Sequence, residues 1–298
     1  MERDAQISIL FAGEDLELQR QAVDVLARCF GVWQKRKEMF HGRFPFRELS
    51  FVAIADGAVV GHAGIIPFEV QSSDSRNLRF AGIASVAVAP EWRNLGIAGK
   101  LCQRAAEWAA EQGFDAMPLY TERVNVYRHC GWEMFPSGMA TLTSPFREAQ
   151  DMTTWLTSAE LSPSDKELII CSYDQLDRMP GRVVRVEDPK SAMSWSYLFS
   201  KAGCRWKIFS TGYLLAMDGV LAEYGGDIDA GMVDASGVGS ALLSPADPLC
   251  AGLTGAGWRK QIHLNDLPEC WENEAVMMRV LPGRSVPEEL FFPLANKF

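Results

Sequence analysis

The sequence predicts a mixed α/β fold, an α+β arrangement around a mixed sheet in the order β-α-β-β-β-α-β-α-β, followed by a second, smaller α+β domain. Three observations carry this prediction. Two β-rich runs meet at Asp56-Gly57, an apolar strand passes into a helix through a glycine-bearing turn at 85–101, and residues 145–166 mix proline, serine and charge without a period.

Taken in order, residues 6–11 (QISILF) read as a strand. From Asp15 to Phe30, Leu18, Ala22, Val25, Leu26 and Cys29 recur at helical spacing, and Gly31 ends the run. Phe51–Ala55 and Val59–Pro67 are strands joined by Asp-Gly, a pair that tolerates the positive φ of a tight hairpin turn. The polar segment 71–77 leads into a further apolar run at 78–90. Beyond Pro90 a helix gathers Ile97, Leu101, Ala105, Trp108 and Ala109 on one face, with Lys100, Gln103, Arg104, Glu107 and Glu111 elsewhere, and Gly113 stops it. A strand from Ala116 to Thr121 and a short helix before Gly131-Trp132 complete the half. The boundary is placed between 147 and 148, giving domains 1–147 and 148–298. In the second, strand-like runs at 167–172, 182–186, 213–223 and 275–281 surround one helical candidate at 188–201. Residues 225–257 are rich in Gly and Ala, and no internal repeat is visible.

Composition narrows the function classes. With 298 residues, 48% of them hydrophobic and 22% charged, the chain is long enough for two domains with real cores. No apolar run reaches the roughly 18 residues of a membrane helix, and the start MERDAQISILFAGEDLE has acidic residues where a signal peptide needs an apolar stretch. The expectation is a cytoplasmic protein with no membrane partner. A net charge of -9 argues against nucleic acid, which needs a basic face. The seven cysteines at 29, 102, 130, 171, 204, 250 and 270 form no C-x-x-C pair. Neither a disulfide framework nor a metal site is therefore expected, and most cysteines read as small buried hydrophobes. Residues 1–150 hold 16 Lys+Arg against 18 Asp+Glu, whereas 151–298 hold 13 against 20. The acidic second half is either a solubilising surface or a wall attractive to a cationic substrate. A homo-oligomer is compatible with the composition.

The most informative stretch is S-V-A-V-A-P-E-W-R-N-L-G-I-A-G-K-L at 85–101. Gly96 removes the side chain that would keep a ligand from the backbone, and the first amides of a helix have no acceptor inside it. Those donors and the positive end of the helix dipole favour a pyrophosphate, to which Arg93 can add a charge-assisted contact. The pattern V-x-V-x-P-x-x-R-x-x-G-x-A resembles the principal cofactor motif of the GNAT (GCN5-related) N-acetyltransferase superfamily, R/Q-x-x-G-x-G/A after an apolar strand, with Arg93, Gly96 and Ala98 at the motif positions. The resemblance implies that acetyl-CoA is the cosubstrate and that the fourth strand splays from the fifth. Pantetheine would then lie along the backbones of Val86, Ala87 and Val88, and the turn of Arg93, Asn94, Leu95, Gly96, Ile97, Ala98, Gly99 and Lys100 would hold the pyrophosphate. It also allows the second domain to be a degenerate GNAT-like half that contributes to the substrate pocket.

Downstream, L-Y-T-E-R-V-N-V-Y-R-H-C-G-W at 119–132 resembles the family's last motif, in which a tyrosine stands four residues before a Gly-aromatic pair; Tyr127 matches it. A phenol with an ordinary pKa near 10 keeps its proton at rest and can offer it to the departing thiolate, though a core tyrosine would look the same in sequence. Many relatives supply a glutamate base on the fourth strand. Here that neighbourhood is Ala84-Ser85, so the base must come from elsewhere. Glu122 is one candidate, with a surface ion pair to Arg123 or Arg128 as the alternative; His62 and His129 read as structural. The run F-V-A-I-A-D-G-A-V-V-G-H-A-G-I-I is similar to aminoglycoside 2′-N-acetyltransferases, and the T-E-x-x-x-V-Y-x-x-x-G-W run with the extra C-terminal half is similar to the enhanced intracellular survival acetyltransferases. In the latter the C-terminal carboxylate is catalytic, which makes that of Phe298 a second candidate, against the alternative that its neighbouring aromatics merely anchor the terminus.

The expected activity is acetyl transfer to a primary amine of a small, cationic molecule, aminoglycosides included. A peptide or protein amine is the alternative acceptor, and a non-catalytic acyl-CoA sensor is the alternative of another class.

Overall fold

In the computed structural model, which describes residues 6–35, 37–42, 49–72, 76–135, 138–145, 152–176, 181–188, 191, 193–201, 203–264, 275–287 and 290, the chain divides into two compact units. Both are discontinuous. The first comprises 1–68, 79–134 and 276–286, and the second 69–78, 135–275 and 287–298.

The first unit contains β1 (Ser8–Phe11), α1 (Leu16–Cys29), α2 (Gly31–Lys35), α3 (Lys37–Gly42), β2 (Ser50–Ala55), β3 (Ala58–Gln71), β4 (Asn77–Val88), α4 (Ile97–Glu111), β5 (Ala116–Thr121), α5 (Val124–Arg128) and β6 (Glu133–Met134). Apart from α2 and α3, this is the predicted order. Asp15 starts α1 by accepting from the amides of Glu17 and Leu18, each at 3.0 Å. The β2–β3 hairpin turns through Asp56 at φ 51° and Gly57 at φ 76°, two successive left-handed residues as a tight hairpin requires. Strands β1, β2 and β3 pair antiparallel, β4 lies beside β3, and the sheet continues through β5 to β15 (Ala275–Val280) and β6. The run at 275–281, expected in the second domain, thus returns to the first sheet: Met277 pairs with Met134 and Leu281 N donates to Asp115 O at 3.0 Å.

Two packing details position the site. On β3, a Cβ at Gly61 would lie 3.1 Å from Ile97 Cγ2 and from Leu101 Cδ1, so the glycine lets the first turns of α4 seat directly on the sheet. At the other end, the fully buried Trp132 donates from Nε1 to Met117 O at 2.7 Å and ties the segment after α5 to β5. The core between these points includes Leu26, Phe51, Ile65, Leu101 and Leu119, all at most 1% exposed.

The second unit contains β7 (Gly138–Thr143), β8 (Leu156–Thr157), α6 (Pro163–Asp174), β9 (Val183–Val184), α7 (Trp195–Ser200), β10 (Cys204–Phe209), β11 (Gly212–Met217), β12 (Val220–Gly226), α8 (Ala230–Ala235), β13 (Ser240–Leu243), α9 (Pro248–Gly255) and β14 (Arg259–Leu264). Its sheet runs β14-β7-β13-β12-β11-β10-β8 over a core that includes Leu214, Leu221, Ala241 and Trp258. The run 167–172, expected as a strand, is helical because Ser162 and Asp165 form a capping box with Pro163 in the first turn. The run 213–223 is two strands, folded back at Asp218-Gly219 with φ 49° and 84°.

This unit repeats the topology of the first. Strands β10, β11 and β12 form an antiparallel meander, α8 follows, and β13 lies parallel to β12 through a single registered pair, Leu221 with Ala241. The series β2, β3, β4, α4 and β5 has the same order, with β4 and β5 parallel through Phe80 and Ala116 alone. The second unit therefore carries the same order of strands and helix as the first. Among the described residues no helix is long and apolar enough to cross a membrane.

Candidate functional site

The turn between β4 and α4 leaves the helix start open. Pro90–Trp92 forms one 3₁₀ turn, Asn94 takes φ 65°, and Gly96 takes φ 71° as the residue before α4. Left-handed residues in so tight a turn let successive backbone amides converge, the setting of an anion nest. No side chain caps α4. The first amide to bond back is that of Lys100, to Gly96 O at 3.1 Å, which leaves the amides of Ile97, Ala98 and Gly99 without helical acceptors. A Cβ at Gly96 would meet no atom within 4 Å, so the space above the turn is open to a ligand. Leu95 and Lys100 are exposed and Ala98 half-buried. Arg93 is exposed, but its Nε donates to Val88 O at 3.1 Å and its Nη2 to Cys29 Sγ at 3.6 Å. The guanidinium thus braces the turn against the end of β4.

The matching position in the second unit is closed. Asp229 caps α8 by accepting from Met232 N at 2.8 Å, so a carboxylate occupies the pole that α4 leaves free. Of these two helix starts, α4 alone has the electrostatics of a phosphate site.

Beside that turn, β4 and β5 share only the Phe80–Ala116 pair before they part. Ala89 N donates to Val60 O at 2.9 Å, toward β3. The alternate residues Val86 and Val88 therefore turn their backbone groups to the other edge, where Val88 O already accepts from Arg93 Nε and from Cys29 Sγ at 3.4 Å. Both are half-buried, whereas Ala87 between them is buried. Ser85, at φ 50°, kinks β4. His62 on β3 reaches this kink: its Nδ1 lies 3.0 Å from Ser85 O, which it can meet only as a donor.

His62 is 0% exposed, and burial lowers its pKa to about 4, the bond to Ser85 opposing. The folded protein thus refuses a proton that the unfolded chain accepts near pH 6.5, so the contribution of neutral His62 is fully present above 6.5 and is lost as pH falls toward 4. A shift of this size corresponds to about 3 kcal/mol. The His62→Gln variant is expected to show a shallower fall in melting temperature between pH 6.5 and 4 than the parent. Identical slopes would remove His62 from the account.

Tyr127 on α5 is half-buried, with its ring edge-on to Trp132 at 6.2 Å between centroids. Its backbone carbonyl accepts from Cys130 N at 2.9 Å and Trp132 N at 3.1 Å, which fixes the short helix to the following turn. Burial pushes the phenol well above its ordinary pKa, with negative charge on Cys102 or Cys130 acting in the same direction and Arg123 opposing. The proton is therefore held throughout the neutral range. Glu122 is exposed at the end of β5 and lines, with Arg123, Val124, Asn125 and Val126, an open depression of about 180 Å³. Among the described residues no ion pair joins it to Arg123 or Arg128. His129 is exposed just after α5. Phe298 lies outside the described residues.

Sequence reasoning treated the cysteines largely as core. Cys102, Cys204 and Cys250 are buried, but Cys29 and Cys130 are half-buried and Cys171 is exposed. It also missed that Cys102 and Cys130 meet beside Tyr127 and that Arg279 returns to them: Nη1 donates to Cys130 O at 2.8 Å and to Gln103 Oε1 at 3.1 Å.

Residues 16–135 match the family model described as acetyltransferase (GNAT) domain. A search of curated protein sequences found no match. Among solved structures, the chain is similar to a GCN5-related N-acetyltransferase from Kribbella flavida, with a TM-score of 0.61 at 19% identity over 93% of this chain and 71% of that one. A GCN5-related N-acetyltransferase from Anabaena variabilis gives 0.61 at 18% over 92% and 73%, and Eis1 from Mycobacterium abscessus 0.59 at 16% over 92% and 73%. At such identities the likeness concerns the fold. The family match brackets the open α4 turn, the parting of β4 from β5 and Tyr127, and on that footing residues 16–135 are a GNAT acetyltransferase domain.

Proposed function

We propose that the protein transfers the acetyl group of acetyl-CoA to a primary amine of a small, cationic molecule. The uncapped turn at Gly96, set where β4 parts from β5, carries this reading. The amides of Gly96 to Gly99 and the side chain of Lys100 would hold the pyrophosphate, and the Val86–Val88 backbone the pantetheine. The amine nitrogen attacks the thioester carbonyl, the C–S bond breaks, and the CoA sulfur takes a proton that Tyr127 can supply. Attacking in its neutral form, the amine must surrender one proton, which Glu122, exposed in the depression next to α5, would receive, while solvent returns a proton to Tyr127; Glu122 would also attract the cationic amine. The aminoglycoside class is the first to test.

Calorimetric titration with CoA, followed by thiol release from acetyl-CoA against a panel of aminoglycosides, polyamines and peptides, tests the proposal. Saturable CoA binding with turnover on small cationic amines is expected, and turnover on peptides alone would overturn the small-molecule reading. A second reading, a non-catalytic acyl-CoA sensor, is favoured by one observation, Ala84-Ser85 in place of a strand carboxylate. Binding without turnover on any amine would decide for it.

A further inference from the structure

Two thiols that the proposed reaction does not use face one another beside Tyr127. Cys102 lies in the second turn of α4, one helical step from Gly99 on the same face, and Cys130 follows α5. A Cβ at Gly99 would lie 3.7 Å from Cys130 Sγ, which donates to Val126 O at 3.4 Å, and Arg279 Nη1 joins Cys130 O to Gln103 Oε1, so Cys130 packs against the turn of α4 that carries Cys102. Their surroundings differ. Cys102 is 0% exposed, whereas Cys130 is half-buried and can be reached by a small solute. The guanidinium of Arg279, held over the Trp132 ring at 5.4 Å and bonded to Cys130 O, places a fixed positive charge at the pair. The neighbouring Cys102 and the Arg279 charge lower the Cys130 pKa to about 7 against its partial burial, while Cys130 and burial push Cys102 up. One thiol is thus reactive and accessible, and its neighbour is enclosed and keeps its proton.

We propose that Cys102 and Cys130 form a peroxide-sensitive dithiol that closes to a disulfide between α4 and the end of α5. Hydrogen peroxide is the oxidant. The Cys130 thiolate attacks one peroxide oxygen, the O–O bond breaks, and hydroxide leaves and is protonated to water, giving a sulfenic acid. The Cys102 sulfur then attacks the Cys130 sulfur, the S–O bond breaks, and the hydroxyl leaves as water with the Cys102 proton. In sum, two thiols lose two electrons and two protons, and one peroxide becomes two waters.

The bond would tie α5 to α4 three residues after Tyr127 and six after Gly96. Its consequence for turnover rests on the function proposed above, whereas its formation does not. The test treats the full chain with hydrogen peroxide and maps its peptides without reduction. A Cys102–Cys130 linked peptide is expected, reversed by dithiothreitol and absent from Cys102→Ser and Cys130→Ser. Linkage of either residue to a different cysteine, or Cys130 driven to sulfinic acid while Cys102 stays a thiol, would overturn the dithiol. In the thiol-release assay the oxidised protein is expected to lose about tenfold or more, the scale for a displaced reacting group, with recovery on reduction and no loss in Cys130→Ser. Unchanged turnover in protein shown to be linked would overturn the coupling to Tyr127. Reduced protein that binds CoA without turnover on any amine would instead count against the catalytic reading, and the peptide map would still decide the dithiol.

Discussion

Gly96→Val is expected to weaken CoA binding by about tenfold to a hundredfold, or about 1.4 to 3 kcal/mol, the largest effect on affinity of any single change considered. Two physical causes converge. At φ 71° a β-branched residue is strained by about 1–3 kcal/mol and would pull the turn out of the shape that aims the α4 amides outward. Its side chain would also enter the open space above the turn, where no protein atom lies within 4 Å to be displaced but where a phosphate would sit. Gly96→Asn separates the causes, since asparagine tolerates the left-handed region and still carries a side chain. If occlusion dominates, both variants lose affinity by calorimetry while the asparagine variant keeps the parent melting temperature. Parent affinity in Asn with loss only in Val would assign the effect to strain. Parent affinity in both would remove the turn from the cofactor site.

The first unit was legible because its local signals agree with its tertiary placement. Asp15 caps, Asp56-Gly57 turns, and the apolar face of α4 recurs at helical period, so each element could be read from its own residues. The helices α2 and α3 were missed because five or six residues show too little of a period to be seen. The second unit was less legible because its cues conflict. E-L-I-I-C-S looks like a strand by composition, yet the S-P-S-D box before it starts a helix. The topological repeat left no trace by eye since β12, α8 and β13 reproduce only an order of elements, and the Gly- and Ala-rich stretch that holds them carries none of the motif residues.

At the site, residues that act through backbone were the readable ones. Gly96 and the valines of β4 announce themselves because a strand, a turn and a helix start must follow in that order for phosphate to be held. Contacts that depend on distant chain segments were not readable. The Arg93 guanidinium, expected to face a pyrophosphate, also bonds the end of its own strand and Cys29 on α1. The link from His62 to the Ser85 carbonyl spans 23 residues, and Arg279 reaches Cys130 across 149. No local period encodes such pairs; they follow from how the sheet is assembled.

Tyr127→Phe is expected to lower turnover by about tenfold to several hundredfold while leaving CoA affinity nearly unchanged, the range usual for loss of a general acid. The ring makes the structural contacts, edge-on to Trp132 and against the unit's core, and phenylalanine keeps them. Only the hydroxyl is lost, and it acts on the departing sulfur and not on the bound ground state. The raised pKa also fixes the sign of the pH dependence. A folded-state phenol that stays neutral above its ordinary value contributes stability below about pH 10, which is lost as pH rises further and the unfolded phenol ionises. Tyr127 should therefore impose no alkaline limb on turnover below about pH 10, and any limb seen there should persist in the phenylalanine variant, reporting the amine or its base. Parent turnover in Tyr127→Phe would return Tyr127 to the core. Equal losses in turnover and CoA affinity would show that the hydroxyl serves binding and not the leaving group.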